Sequence, residues 1–99
     1  MRYEIVYADD ALGHLQDLPA RLSAIVVDEI ERQLTHQPTV ETRNRKRMRR
    51  QTLAPWALRI GDARVYYDAR EAPEPVVEIL AVGVKEHNRV LIGREVTEL

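Results

Sequence analysis

The chain has 99 residues, a formal net charge of −1, 44 % hydrophobic and 31 % charged residues, and no cysteine. That length and balance fit one soluble globular domain over residues 1–99, and they exclude a disulfide scaffold, a thiolate nucleophile and a cysteine zinc site. No apolar run reaches the length of a membrane span, the first residues lack the pattern of a secretory signal, and a reducing cytoplasm is the expected compartment.

In chain order, Tyr3, Ile5 and Tyr7 alternate with Glu4 as a strand does. Asp9 and Asp10 follow as N-cap candidates for a helix carrying Leu12, Leu15 and Leu18. Pro19 suits the first turn of a second, longer helix, whose Leu22, Ile25, Val26, Ile30 and Leu34 form an apolar stripe that ends before Pro38. The two helices are expected to form a hairpin, with Asp28 and Arg32 paired one turn apart on its outer side. His14 and His36 read as surface or helix-end residues.

After Pro38 a polar linker carries the cationic run Thr42-Arg43-Asn44-Arg45-Lys46-Arg47-Met48-Arg49-Arg50, expected on a loop or an irregular strand edge. Then Trp56, Leu58 and Ile60 share a strand face, Gly61-Asp62 makes a tight turn, and Val65 to Tyr67 returns antiparallel. Trp56 reads as packing. Tyr66 and Tyr67 point to opposite faces, one into the core and the other exposed, where a base can stack on it. Ala69 to Pro75 reads as a loop, Val76 to Val84 as a β-branched central strand, and Val90 to Ile92 as a short strand or turn.

The chemistry narrows by composition. Ser23 lies on a helix face, so no serine or cysteine nucleophile is supported. The three histidines are far apart and no metal-ligand spacing occurs; neither do the glycines form a phosphate-cradling loop, so neither a metal nor a cofactor is expected. What remains is charge: between Thr42 and Arg64 eight Lys or Arg face the single acid Asp62, roughly +7 by formal counting, which leaves the remainder strongly acidic.

If Arg59, Arg64 and Lys85 share a sheet face, they form a cationic cluster able to stabilise charge developing on a phosphodiester. RNA supplies its own nucleophile, the 2′-hydroxyl, and His87 is the one plausible general acid or base nearby. The plainer alternatives stand beside this reading: a solvated arginine-rich loop or a dock for an acidic partner, Arg59 and Arg64 paired with Asp62, Asp68 or Glu78, and His87 as an exposed loop residue.

The order strand, helical hairpin, basic linker and three strands resembles the RelE/ParE superfamily of bacterial toxins from type II toxin–antitoxin systems. The resemblance rests on Leu58-Arg59-Ile60-Gly61-Asp62-Ala63-Arg64-Val65-Tyr66-Tyr67 and on Val82-Gly83-Val84-Lys85-Glu86-His87-Asn88-Arg89. It implies an α+β fold with an N-terminal strand and a two-helix hairpin packed on one face of a small, mainly antiparallel sheet of about four strands. It also implies a cognate antitoxin partner and cleavage of messenger RNA on the ribosome without a metal. Arg59 then corresponds to a catalytic lysine, Arg64 to a transition-state-stabilising arginine and Lys85 to a second arginine, with Arg43, Arg45, Lys46, Arg47, Arg49, Arg50 and Arg89 as RNA-binding residues. Two positions depart from the pattern: Ala57 stands for a further lysine and Leu91 for a C-terminal tyrosine, which His87 would replace in part. The same fold includes non-enzymatic inhibitors of DNA gyrase, the leading alternative, and a catalytically decayed antitoxin-binding homologue is a third.

Overall fold

A computed structural model describes residues 1–49, 54–87 and 89–92, together with the backbone of 95–98. Its elements run β1 (Glu4–Tyr7), α1 (Asp9–Asp17), α2 (Ala20–Leu34), β2 (Arg45–Arg47), β3 (Trp56–Ile60), β4 (Ala63–Arg70), β5 (Val76–Glu86), β6 (Arg89–Ile92) and β7 (Glu95–Glu98). Among the described residues the sheet has seven strands rather than about four, in the order β2-β3-β4-β5-β6-β7 with β1 against β5. The surplus lies where periodicity is too short to read: β2 has three residues inside the cationic run, and β6 and β7 have four each.

β5 is the axis of the fold. One edge pairs antiparallel with β4; the other is shared, with β1 parallel to Val76–Ile79 and β6 antiparallel to Gly83–Glu86. Between those two partners the edge is open, and α1 fills it: the Val82 N–H donates to His14 Nδ1 at 3.2 Å. His14 is therefore a sheet-capping residue rather than a plain surface one, because an unpaired strand N–H needs an acceptor.

Both helices lie on one sheet face, where Ala11, Leu15, Val26, Ile30 and Leu34 meet Trp56, Leu58, Val65, Tyr67, Val77, Ile79 and Val82. The stripe is narrower than its sequence: Leu12 and Ile25 are exposed. Asp9 and Asp10 occupy the first turn of α1, favourable to the helix dipole, while Ala8 is the cap residue. Arg32 pairs with Glu29 instead of Asp28, through Nε at 3.1 Å and Nη2 at 2.5 Å, since three residues back on this helix brings the longer carboxylate side chain within bidentate reach.

The opposite face has a second, smaller cluster of Ala54, Tyr66, Ala81, Val90 and Ile92, with Met48, Ala57 and Leu80 against it. Tyr66 and Tyr67 do point to opposite faces, yet both are buried, because this second cluster covers Tyr66. The expectation of one exposed tyrosine is thereby overturned. Tyr67 stacks on Trp56 with ring centroids 6.2 Å apart, and its hydroxyl donates to the Pro38 carbonyl at 2.6 Å. Among the described residues no helix is long and apolar enough to cross a membrane.

Candidate nucleic-acid site

Strand parity decides which cations can act together. In β3, Trp56, Leu58 and Ile60 face the helices, so Ala57 and Arg59 face away; in β4, Ala63, Val65 and Tyr67 face the helices, so Arg64 and Tyr66 face away. Arg59 stands directly opposite Arg64, Arg64 directly opposite Gly83, and Lys85 two residues further along the same side of β5. Directly opposed residues share a face, so the three cations expected from sequence do share one.

A hairpin and two backbone stitches fix their spacing. Gly61 has φ +58° while Asp62 does not, the pattern of a two-residue II′ turn joining β3 to β4. The Lys85 N–H donates to the Asp62 carbonyl and the Arg59 N–H to the Asn44 carbonyl, each at 2.7 Å. The ends of β2, β3, β4 and β5 are thereby held side by side, about 14 Å across at ordinary strand spacing.

Here lies an open groove of about 510 Å³ lined by Asn44, Arg59, Gly61, Asp62, Arg64, Lys85 and His87. All four residues assigned to catalysis from sequence, Arg59, Arg64, Lys85 and His87, border it. His87 adopts φ 56° in the turn between β5 and β6, a left-handed conformation that histidine enters more readily than most residues. The groove sets two arginines, a lysine and a histidine against the single carboxylate of Asp62. Among the described residues the one ion pair is Arg32 with Glu29, far from it in the fold, while Asp68 and Glu78 oppose each other at the other end of β4 and β5. Like charges directly across a strand pair cost stability, about 0.2–1 kcal/mol, and an anion between Arg59 and Arg64 would relieve that cost.

Arg64 is half-buried, and its Nη1 donates to the Gly61 carbonyl at 2.8 Å and the Ala63 carbonyl at 2.9 Å. Partial burial and then Arg59 pull its guanidinium pKa below the ordinary arginine value, opposed by Tyr66 and Asp62. Among the described residues Nε and Nη2 have no hydrogen-bond partner, and a planar fork held by its own turn at the groove is suited to a phosphate.

The wider cationic run divides. Arg45 is buried, with Nε donating to the Val40 carbonyl at 3.0 Å and Nη1 to the Gln33 carbonyl at 2.8 Å. It fastens the linker to the end of α2 and is unavailable to RNA, a correction to its assignment. Arg47 pairs in register with Trp56, and its guanidinium lies 5.9 Å from that ring, on the helix side. Lys46, opposite Ala57, shares the face of Arg59. Arg43 and Arg49 are exposed, and Arg50 lies outside the described residues. Arg89 alternates with Val90, whose side chain belongs to the second cluster, and so turns away from the groove's face. Leu91, opposite Val84, turns away too.

Sequence reasoning missed Asn44 and Asp62 as lining residues. Their signal was positional: Asn44 alternates with Arg45, and Asp62 closes the hairpin turn.

One chain in the crystal structure of the toxin–antitoxin complex RelBE2 from Mycobacterium tuberculosis is similar to this one, at 27 % sequence identity and a TM-score of 0.70, over 86 % of this chain and 100 % of that chain. No protein-family model and no curated protein matches the sequence.

Proposed function

We propose that this chain, similar in fold and at 27 % identity to a chain of the RelBE2 toxin–antitoxin complex, is a RelE-like member of the RelE/ParE superfamily and the toxin of a type II toxin–antitoxin pair, neutralised by a cognate antitoxin, that arrests translation by cutting messenger RNA on the ribosome. The observation that carries the reading is the convergence of Arg59, Arg64, Lys85 and His87 on one groove. The likeness to a chain of a toxin–antitoxin complex supports the toxin and partner part of it.

The chemistry follows from the groove. Arg59 and Arg64 hold the non-bridging oxygens of a phosphodiester, and Lys85 adds a third charge at the β5 side. The 2′-hydroxyl oxygen attacks the adjacent phosphorus in line. As that bond forms, the bond to the 5′-oxygen breaks, leaving a 2′,3′-cyclic phosphate and a 5′-hydroxyl. His87 takes the 2′-hydroxyl proton or supplies the one that the leaving oxygen needs, and water exchanges the other. Fixed donors of this kind contribute about 10²–10³-fold each and positioned proton transfer about 10²–10⁴-fold.

Induction of the chain alone in a bacterial host, with sequencing of RNA 5′ ends, tests this. Cuts clustered by reading frame within translated messages are expected. Intact messages in growth-arrested cells would refute it.

A second reading, a non-enzymatic inhibitor of DNA gyrase, draws on Leu91: the position of the family's tyrosine carries an aliphatic side chain and turns to the other side of the sheet from Lys85. Under that reading the purified chain blocks supercoiling by gyrase and leaves RNA whole.

A further inference from the structure

The groove contains one polar side chain that neither carries charge nor moves a proton. Asn44 lines it beside Arg59, Arg64, Lys85 and His87. Its backbone is held on both sides, with its N–H donating to Thr42 Oγ1 at 3.2 Å and its carbonyl accepting from the Arg59 N–H at 2.7 Å. The next residue repeats the anchor, the Arg45 N–H donating to the same Thr42 hydroxyl at 3.0 Å. Asn44 is half-buried, and among the described residues its side-chain amide takes part in no hydrogen bond.

An amide is a poor choice for holding phosphate here. Charge-assisted bonds from the neighbouring guanidinium and ammonium groups are roughly twice as strong as its own. What an amide adds is a donor and an acceptor side by side, which is the pattern of a base edge. Phosphate contacts position a strand and base contacts specify it. In single-stranded RNA the base edges are open to such contact. With a phosphate between Arg59 and Arg64, Asn44 stands at the β2 side and His87 at the β5 side, so the chemistry and the reading group flank the phosphate from opposite ends.

We propose that Asn44 determines sequence preference by hydrogen-bonding the base edge of a nucleotide next to the scissile phosphate. Adenine is the favoured base, since its N6 donor beside its N7 acceptor is the usual bidentate partner of an asparagine amide. The inference rests on the ribonuclease reading given above.

The test compares RNA 5′-end profiles after induction of the wild-type chain, Asn44→Ala and Asn44→Asp. Wild type is expected to enrich adenine at one position flanking the cut. Asn44→Ala should lower that enrichment by about 5- to 150-fold, the worth of one bidentate base contact, through slower cutting at the adenine-flanked sites than at the others. Asn44→Asp, which keeps an acceptor and loses the donor, should move the preference away from adenine. Both variants should melt with the wild type, because the structural bonds at this position are made by the backbone. A variant profile identical to wild type overturns the inference, and so does a uniform slowing with the preference intact, the mark of a contact to ribose or phosphate. Those results leave the ribonuclease reading standing, whereas a wild-type chain that cuts no message removes both.

Discussion

The two faces of the sheet use the same residue types for opposite ends. On the helix side, Arg45 and Tyr67 are tied to the backbone: the guanidinium bonds two carbonyls and the phenol a third, all in the linker or helix end that precedes β2. On the other side, Arg59 and Arg64 face each other across two strands with no carboxylate partner among the described residues. A buried polar group must be satisfied internally, whereas an exposed cluster of like charge is satisfied by something that arrives. One strand position separates the two fates, since a shift by one residue moves a side chain to the other face.

The largest effects should separate the faces cleanly. Arg64→Ala is expected to lower RNA cleavage about 10²–10³-fold, the usual loss for a fixed donor to a developing charge, and to cost less stability than loss of Arg45, because its two carbonyl bonds lie at an exposed turn and its removal relieves the repulsion from Arg59. Arg45→Met keeps the stem and removes both carbonyl bonds. Hydrogen bonds from charged groups contribute about 1.5–3 kcal/mol each, so losing both should cost about 3–6 kcal/mol, at least about 12 °C in a domain of this size, while the folded fraction cleaves normally at low temperature. Equal loss of cleavage and stability in both variants would erase the distinction between the faces.

Gly83 tests the open face from within. It stands opposite Arg64, and a Cβ there would meet Ile92 Cγ1 and Val90 Cγ1 at 2.7 Å and the Leu91 carbonyl oxygen at 2.8 Å. Two side chains can lean aside, but the backbone oxygen belongs to the β5–β6 ladder. Gly83→Ala should therefore cost about 1–3 kcal/mol, as overpacking does, and denaturant unfolding would report it as a lower midpoint. An unchanged midpoint would mean that β6 is free to move away from β5.

Much of this was legible in the sequence, and the reason is the hairpin. Leu58, Ile60, Val65 and Tyr67 alternate with Arg59, Arg64 and Tyr66, so apolar parity alone places Arg59 and Arg64 on one face. The turn at Gly61-Asp62 sets their register. β2 was harder, because Arg45, Lys46 and Arg47 carry no apolar contrast and parity has nothing to act on. The burial of Arg45 depends on carbonyls of Gln33 and Val40, contacts that no local pattern encodes. Tyr66 was misread for a related reason: the second cluster draws on Ala54, Met48, Val90 and Ile92, which lie in segments too short or too mixed to announce a covered face.

Alkaline pH gives a finer contrast. Burial raises the pKa of all four tyrosines, with Glu71 adding to the rise at Tyr3 and Glu31 at Tyr7, and Tyr67 is moved furthest above the ordinary 10.0. Above about pH 10 the unfolded chain releases phenolic protons that the folded chain retains, so stability is complete below that pH and falls as pH rises beyond it. At Tyr66 the nearby Arg64 opposes the shift. Tyr67→Phe should therefore flatten the alkaline fall in melting temperature more than Tyr66→Phe does. The reverse order would place the stronger desolvation on the open face.

The smallest effect discriminates between two neighbouring cations. Lys46 lies opposite Ala57 on the face of Arg59, while Arg47 lies opposite Trp56 with its guanidinium over the indole. Each phosphate neutralised on a single strand adds about 0.7 to the slope of log K against log salt. Lys46→Gln should lower the magnitude of that slope by about 0.7 for single-stranded RNA. Arg47→Gln should leave it unchanged and cost about 0.5–1 kcal/mol of stability through the lost cation–π contact. Fluorescence titrations at several salt concentrations measure both slopes. If the two substitutions lower the slope equally, RNA sees the run as an unstructured patch of charge; if they differ, it sees a strand with two sides.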